Sequence, residues 1–162
     1  MAFLRDYKLL QIRQAEKCDI HDLVDLDDEC FDTYYYEKTK FSKLDFQDYF
    51  CCKKSILLVA VHEYRLVGYV AGTVRSSGLR SIAHLDSIAV SSIARQKGIG
   101  SQLLDIFIQY AKRRACEMVI LEVATANKAG LRFFSKRGFL KIRDLPQYYG
   151  RGLDGLLMER NI

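Results

Sequence analysis

One segment constrains this chain more than any other. The alternating run Arg80–Val90 ends in Ile88-Ala89-Val90, and Ser91–Lys97 then leads into Gly98-Ile99-Gly100. From Gly98 to Arg113 the apolar residues Leu103, Leu104, Phe107, Ile108 and Ala111 fall on one helical stripe. A strand, a glycine turn and an amphipathic helix in that order set a helix N-terminus just beyond a strand end. Gly98 and Gly100 carry no side chains, so backbone N–H groups can approach a phosphate, and the helix dipole adds attraction. Arg95 and Lys97 bring cations to the same place. It is not a P-loop, because no lysine follows Gly100, and not a Rossmann turn, because Leu103 stands where a third glycine is needed. An ordinary basic helix start with a glycine turn is the competing reading.

The rest of the chain frames this turn. Lys8–Arg13 reads as a strand, and Asp19 is placed to cap a helix carrying Ile20, Leu23, Val24 and Leu26 to about Cys30-Phe31. The aromatic stretch Phe31–Tyr36 precedes a short helix from Ser42 to Cys52. Ile56–Val61 and Leu66–Val74 form a hairpin through His62–Arg65, and Ser76-Ser77-Gly78 turns into Arg80–Val90. Met118–Ala124 is a nearly continuous apolar run, the pattern of a strand buried on both faces. Asn127 caps another helix that Gly138 ends, and Phe139–Asp144 and Leu153–Glu159 close the chain as strands. The order predicts one α/β domain over residues 1–162, with a mixed sheet, antiparallel at first and parallel between Arg80–Val90 and Met118–Ala124.

Composition narrows the class. The chain has 162 residues, 49% of them hydrophobic, with one proline, which suits a single core without disordered linkers. No apolar run in the chain approaches membrane-spanning length, and the start Met1–Asp6 lacks a signal-type apolar region, so the expectation is a soluble, cytoplasmic protein with no membrane partner. Five cysteines lack C-x-x-C spacing and read as free thiols, and His21, His62 and His84 lack metal-ligand spacing, so no metal is expected. A net charge of +5 suits a phosphate-bearing cofactor, and nothing resembles a nucleic-acid-binding signature.

Arg95-x-x-Gly98-x-Gly100 after Leu85–Val90 resembles the R/Q-x-x-G-x-G/A signature of the GNAT superfamily of N-acetyltransferases. The similarity continues through Leu121–Asn127 and Ala129–Phe139. Tyr148-Tyr149 with Gly152-x-Asp154-Gly155-x-x-Met158 is similar to the closing hairpin of the branch acetylating protein N-termini, ribosomal-protein alanines included. It covers the chain from about residue 9 and is strongest from residue 84 onward. The resemblance implies a GNAT fold: a sheet of six to seven strands with a splayed parallel pair and about four helices. It also implies acetyl-CoA as cosubstrate. Its pantetheine arm would pair with Ile88, Ala89 and Val90, and its pyrophosphate would lie on the amides from Gln96 to Ser101, Lys97, Gly98, Ile99 and Gly100 among them. Asn127 matches a cofactor contact, and it reads equally as a helix cap.

Acetyl transfer needs a neutral amine, and an α-amine with pKa about 7.8 is far easier to deprotonate than a lysine at about 10.4. Glu122, the one charged residue in Met118–Ala124, matches the glutamate assigned as general base in the ribosomal branch; pairing with an arginine is the alternative. His84 matches a tyrosine that works with the base in one eukaryotic branch, and it reads also as a structural histidine. Alternation places it on one face with Asp86 and Ile88. At the family's proton-donating tyrosine stands Phe134, which we count among cofactor contacts. Water, another tyrosine, or binding without efficient turnover would each account for the missing hydroxyl. Phe31, Tyr35, Tyr148 and Tyr149 would line the acceptor groove, or cover the sheet edge; if the chain is extended there, only one of the adjacent tyrosines reaches it. The expected activity is acetylation of a protein N-terminus by a monomer or homodimer. The alternatives are acetylation of a lysine or small amine, and an acetyl-CoA-sensing binding module.

Overall fold

The structure, a computed structural model, describes residues 10–31, 40–78 and 80–162. Its elements are β1 (Leu10–Gln14), α1 (Ile20–Cys30), α2 (Lys43–Cys51), β2 (Ser55–His62), β3 (Arg65–Ser77), β4 (Arg80–Val90), α3 (Ile99–Arg113), β5 (Cys116–Ala124), α4 (Lys128–Lys136), β6 (Leu140–Leu145) and β7 (Gly155–Asn161). Seven strands form one sheet in the order β1-β2-β3-β4-β5-β7-β6. Among the described residues only β4 and β5 run parallel, as the alternation of strands and helices predicts. No helix among the described residues is long and apolar enough to cross a membrane.

The two faces of the sheet are covered by different helices. On one, Leu103, Leu104 and Phe107 of α3 are fully buried against Leu58, Val70 and Val119. Burying each contributes about 1.5–3 kcal/mol, so the predicted stripe on α3 is the larger anchor of the fold. On the other, Leu23 of α1 and Phe46 of α2 meet Val59 and Tyr69. Local signals explain the element ends. Ser42 accepts the Asp45 N–H at 3.3 Å while Asp45 returns a bond to the Ser42 N–H, a capping box that starts α2. Gly138, at φ 81°, takes the left-handed position after α4.

Three expectations are corrected. Asp19 precedes α1 but makes no side-chain cap there; Arg13 holds its carboxylate at 2.7 and 2.9 Å, and the Glu16 N–H donates to it at 2.7 Å. An arginine fork in reach competes with a weaker neutral cap. On β5 Val119, Leu121 and Val123 form a buried face, whereas Met118, Ile120 and Glu122 on the other are only half-buried. Finally, β4 does not alternate evenly. Ser87 pairs with Ala71 and Leu85 with Gly72, which leaves Asp86 as an extra, bulged residue. The bulge shifts the phase by one, so Ile88 packs on the α3 face with Leu85 while His84 stays on the opposite face.

Candidate functional site

The site begins where the parallel pair stops. β4 and β5 are in register only from Ser81↔Cys116 to His84↔Ile120. Beyond that point β4 remains held by β3 up to Val90, and β5 by β7 up to Ala124. Each strand is pinned from its outer side, and the bulge at Asp86 adds local bend and twist, so the strands part. The Leu85–Val90 edge is left without a strand partner on the β5 side.

A chain of polar side chains sits at the fork. His84 Nε2 meets Glu122 Oε2 at 2.7 Å, and His84 Nδ1 makes a short contact with Asp86 Oδ1. The Tyr49 hydroxyl on α2 donates to Asp86 Oδ2 at 2.7 Å. Side-chain exposure is 10% for His84, 17% for Asp86 and 18% for Glu122, so this is a half-buried ionic cluster, not a surface one. Glu122 is therefore partnered by His84 and not by an arginine. Burial pulls the imidazole pKa down, but its bonds to Asp86 and Glu122 and their charges outweigh it and raise the pKa to about 9. His84 is then an imidazolium at neutral pH, held between Asp86 and Glu122. Burial pushes the Tyr49 hydroxyl far above its usual range, so it stays a donor.

This arrangement predicts a pH effect on stability. The folded pKa of His84, about 9, lies above its unfolded value of about 6.5. The stabilisation is complete below pH about 6.5 and is lost as pH rises through about 9, a change on the order of 3 kcal/mol. The melting temperature of the wild type should fall across that window, while His84→Gln should show a flatter profile. Parallel profiles would show that His84 carries no such linkage.

Around the cluster lies a cleft of about 420 Å³, bordered by Phe31, Phe41, Asn127, Phe134, Tyr148 and Tyr149. Both tyrosines border it, since the extended chain that would have turned one of them away is not formed. The segment is a turn and not an extended strand, and it sets the two rings 4.9 Å apart at 82°. Tyr35 lies outside the described residues. Phe134 is 6% exposed and packs edge-on against Phe133 and Phe139. The sequence reading missed Asp86 and Tyr49; the H-x-D spacing on β4 was the available signal for the first, whereas nothing local marks the second.

Part of the expected cofactor set borders a second groove, of about 610 Å³, which shares Phe31, Ile88, Asn127 and Phe134 with the cleft, while Gln96, Lys97, Gly98, Ile99 and Ser101 do not line it. Ile88, Ala89, Val90, Arg95 and Gly100 line it. Gln96 and Gly98 have φ of 62° and 77°, and α3 starts at Gly98 with no side-chain cap, so its first amides are left for an outside acceptor. Ile99 is buried, so only its backbone can serve a ligand; Lys97 is exposed and Ser101 half-buried. Arg95 Nε donates to the Val90 carbonyl at 3.1 Å, and the Cys30 thiol lies 3.4 Å from the same oxygen. Glu29 of α1 accepts the Ser92 N–H at 2.8 Å and both serine hydroxyls of Ser91-Ser92, fixing the turn into the loop. Asn127 Oδ1 accepts the Gly130 N–H at 2.8 Å, so its capping role is in use. A uniformly apolar or acidic groove would not suit a pyrophosphate ester; uncapped amides beside Arg95 and an unpaired strand edge do fit acetyl-CoA.

Other features stand apart. The groove of about 760 Å³ between α1 and α2 is lined by none of these residues. The exposed His21, Asp22 and Asp25 of α1 lie within 4.8 Å of one another, a proximity that helical spacing of i and i+4 creates.

The sequence profile described as the acetyltransferase (GNAT) family matches residues 20–139. An uncharacterized N-acetyltransferase of Methanocaldococcus jannaschii is 30% identical over 138 residues, 82% of this chain and 61% of that protein. This chain thus spans about three-fifths of the length of that relative. An N-alpha-acetyltransferase of Saccharolobus solfataricus is 31% identical over 111 residues, 63% of this chain and 66% of that protein. Among solved structures, the ribosomal-protein-alanine N-acetyltransferase of Brucella melitensis superposes with TM-score 0.80 at 27% identity, covering 94% of this chain and 99% of that one.

Proposed function

The chain belongs to the acetyltransferase (GNAT) family, and we propose that it transfers an acetyl group from acetyl-CoA to the α-amine of a protein N-terminus of ribosomal-protein type, by direct attack in a ternary complex. The observation that carries this reading is the Asp86–His84–Glu122 cluster at the fork of β4 and β5, where an aromatic cleft meets the groove at the α3 N-terminus. The unpaired edge at Ile88, Ala89 and Val90 takes the pantetheine arm, and the amides from Gln96 to Ser101 take the pyrophosphate. Glu122 removes the proton from the incoming amine, directly or through one water, and its bond to His84 orients it. An α-amine suits this base, because roughly a quarter of it is already neutral at pH about 7.4. Phe134 closes the apolar wall of the cleft without offering a proton. The departing thiolate, with an intrinsic pKa of about 8.5, leaves without a side-chain acid and takes its proton from water.

The same reading treats residues 1–162 as one acetyltransferase domain acting in the cytoplasm as a monomer or homodimer. A polyamine acceptor would find Asp45, Asp86 and Glu122 on the cleft, of which Asp86 and Glu122 are already bonded to His84. Of the acidic run on α1, Asp27 is buried and Glu29 is bonded to Ser91 and Ser92, and none of its carboxylates lines the cleft. The absence of a hydroxyl at Phe134 favours a second reading, an acetyl-CoA sensor. CoA-release kinetics with peptides varied at residues 1 and 2, plus one whose only amine is a lysine, separate the readings. Turnover that requires a free α-amine supports N-terminal acetylation. Tight acetyl-CoA binding that no acceptor converts to release establishes the sensor.

A further inference from the structure

Two buried titratable side chains have no part in the chemistry above. Asp27 of α1 is 1% exposed and Tyr69 of β3 is 0% exposed. Burial raises the Asp27 carboxyl above the usual range and the Tyr69 hydroxyl well above its own. Groups of this kind persist in a core only when hydrogen-bonded. They are bonded in a row. The Phe41 N–H donates to Asp27 Oδ2 at 2.9 Å, and the Tyr69 hydroxyl donates to Asp27 Oδ1 at 2.5 Å. Tyr69 Oη is in turn 2.7 Å from Ser87 Oγ. Ser87 follows the bulged Asp86 on β4 and borders the cleft.

Counting protons sets the direction of the row. With Asp27 ionised, its two oxygens accept the Phe41 N–H and the single Tyr69 proton. In the Ser87–Tyr69 bond the donor must then be Ser87. Its one proton is committed inward, and its oxygen can offer the cleft only lone pairs. Close by, Asp86 uses both oxygens, on Tyr49 and His84, while Glu122 keeps Oε1 beside the oxygen bonded to His84.

We propose that Ser87 binds an N–H of the acceptor nitrogen, with Asp27 and Tyr69 as positioning residues that hold its hydroxyl in the accepting orientation. Ser87 and Glu122 then form an acceptor-only pair that suits a donor-rich amine or ammonium and offers nothing to a carboxylate. The inference rests on the reading of the cleft as an amine site.

The test is calorimetric binding of an unacetylated acceptor peptide to the CoA-loaded protein, alongside turnover with acetyl-CoA. Asp27→Asn keeps an oxygen for the Phe41 N–H but turns an NH₂ toward Tyr69. Tyr69 must then donate to Ser87, whose proton is released toward the cleft. Ser87→Ala removes the acceptor outright. Each variant should weaken peptide binding about tenfold or more, the scale of a hydrogen bond from a charged donor, with acetyl-CoA affinity unchanged. The double variant should bind no worse than the weaker single one, because both act on the same oxygen. Tyr69→Phe, which also frees the serine proton, should give the same loss if Asp27→Asn fails to fold. Unchanged binding in Ser87→Ala, or losses that multiply in the double variant, would overturn the proposal. Peptide turnover by a wild type whose binding ignores Ser87→Ala sinks this inference alone. Binding without turnover sinks the transferase reading alone, and a wild type that binds no amine sinks both.

Discussion

Glu122→Gln is expected to lower kcat for amine acetylation by about 10²–10⁴-fold, the usual range for a lost general base. The substitution is nearly isosteric, and the amide oxygen can still accept from His84, so the fork keeps its geometry. What disappears is the basicity and one of the two charges that hold His84 protonated. Acetyl-CoA binding should be unaltered, since Glu122 borders the acceptor cleft and not the groove at the α3 N-terminus. The alkaline fall in melting temperature should also be shallower than in the wild type. Steady-state kinetics at pH about 7.5, with peptide and acetyl-CoA varied separately, measure the effect. A loss of only a few-fold would remove Glu122 from the role of base and turn attention to Asp86, the other carboxylate on His84.

Gly72→Ala should cost the fold about 3 kcal/mol, which for a domain of this size is roughly 6–12 °C in Tm. A Cβ at Gly72 would run into the backbone carbonyl of His84 and would lie 2.5 and 2.6 Å from two ring atoms of Phe107. Phe107 is fully buried at the centre of the α3 contact, so the ring has nowhere to move. Neither can the carbonyl yield without shifting β4 where it begins to part from β5. Urea or thermal unfolding reads the loss. Adding Phe107→Leu should restore only part of it, because the clash with the His84 backbone remains. Full rescue would locate the whole constraint in the helix contact. The surviving folded protein should also be less active, because the displaced carbonyl belongs to the residue that orients Glu122.

Much of the fold could be read from residues close together in the chain. The stripe Leu103, Leu104, Phe107, Ile108 and Ala111 marks α3 because helical periodicity repeats within two turns. Ser42 starts α2 and Gly138 ends α4 through bonds or a φ value that span only a few residues. Arg80–Val90 is the long strand expected, with its alternation broken at the Asp86 bulge. Asp19 misled because a cap signal is local, whereas the arginine that captures it comes from a neighbouring element.

The site residues divide in the same way. The glycine turn and its cations were visible as a phosphate-binding element, and Glu122 stood out as a lone charge in an apolar strand. Tertiary structure alone decided their company. His84 meets Glu122 across 38 residues of chain, Tyr49 reaches Asp86 across 37, and Tyr69 joins Asp27 across 42. One bulged residue, Asp86, reset which side chains face the cleft, and the end of parallel pairing at His84 decided where the sheet opens. Periodicity, caps and glycine conformations act over a turn or two of backbone, so sequence carries them openly. Pairings between distant strands depend on register and packing, which exist only once the whole sheet has formed.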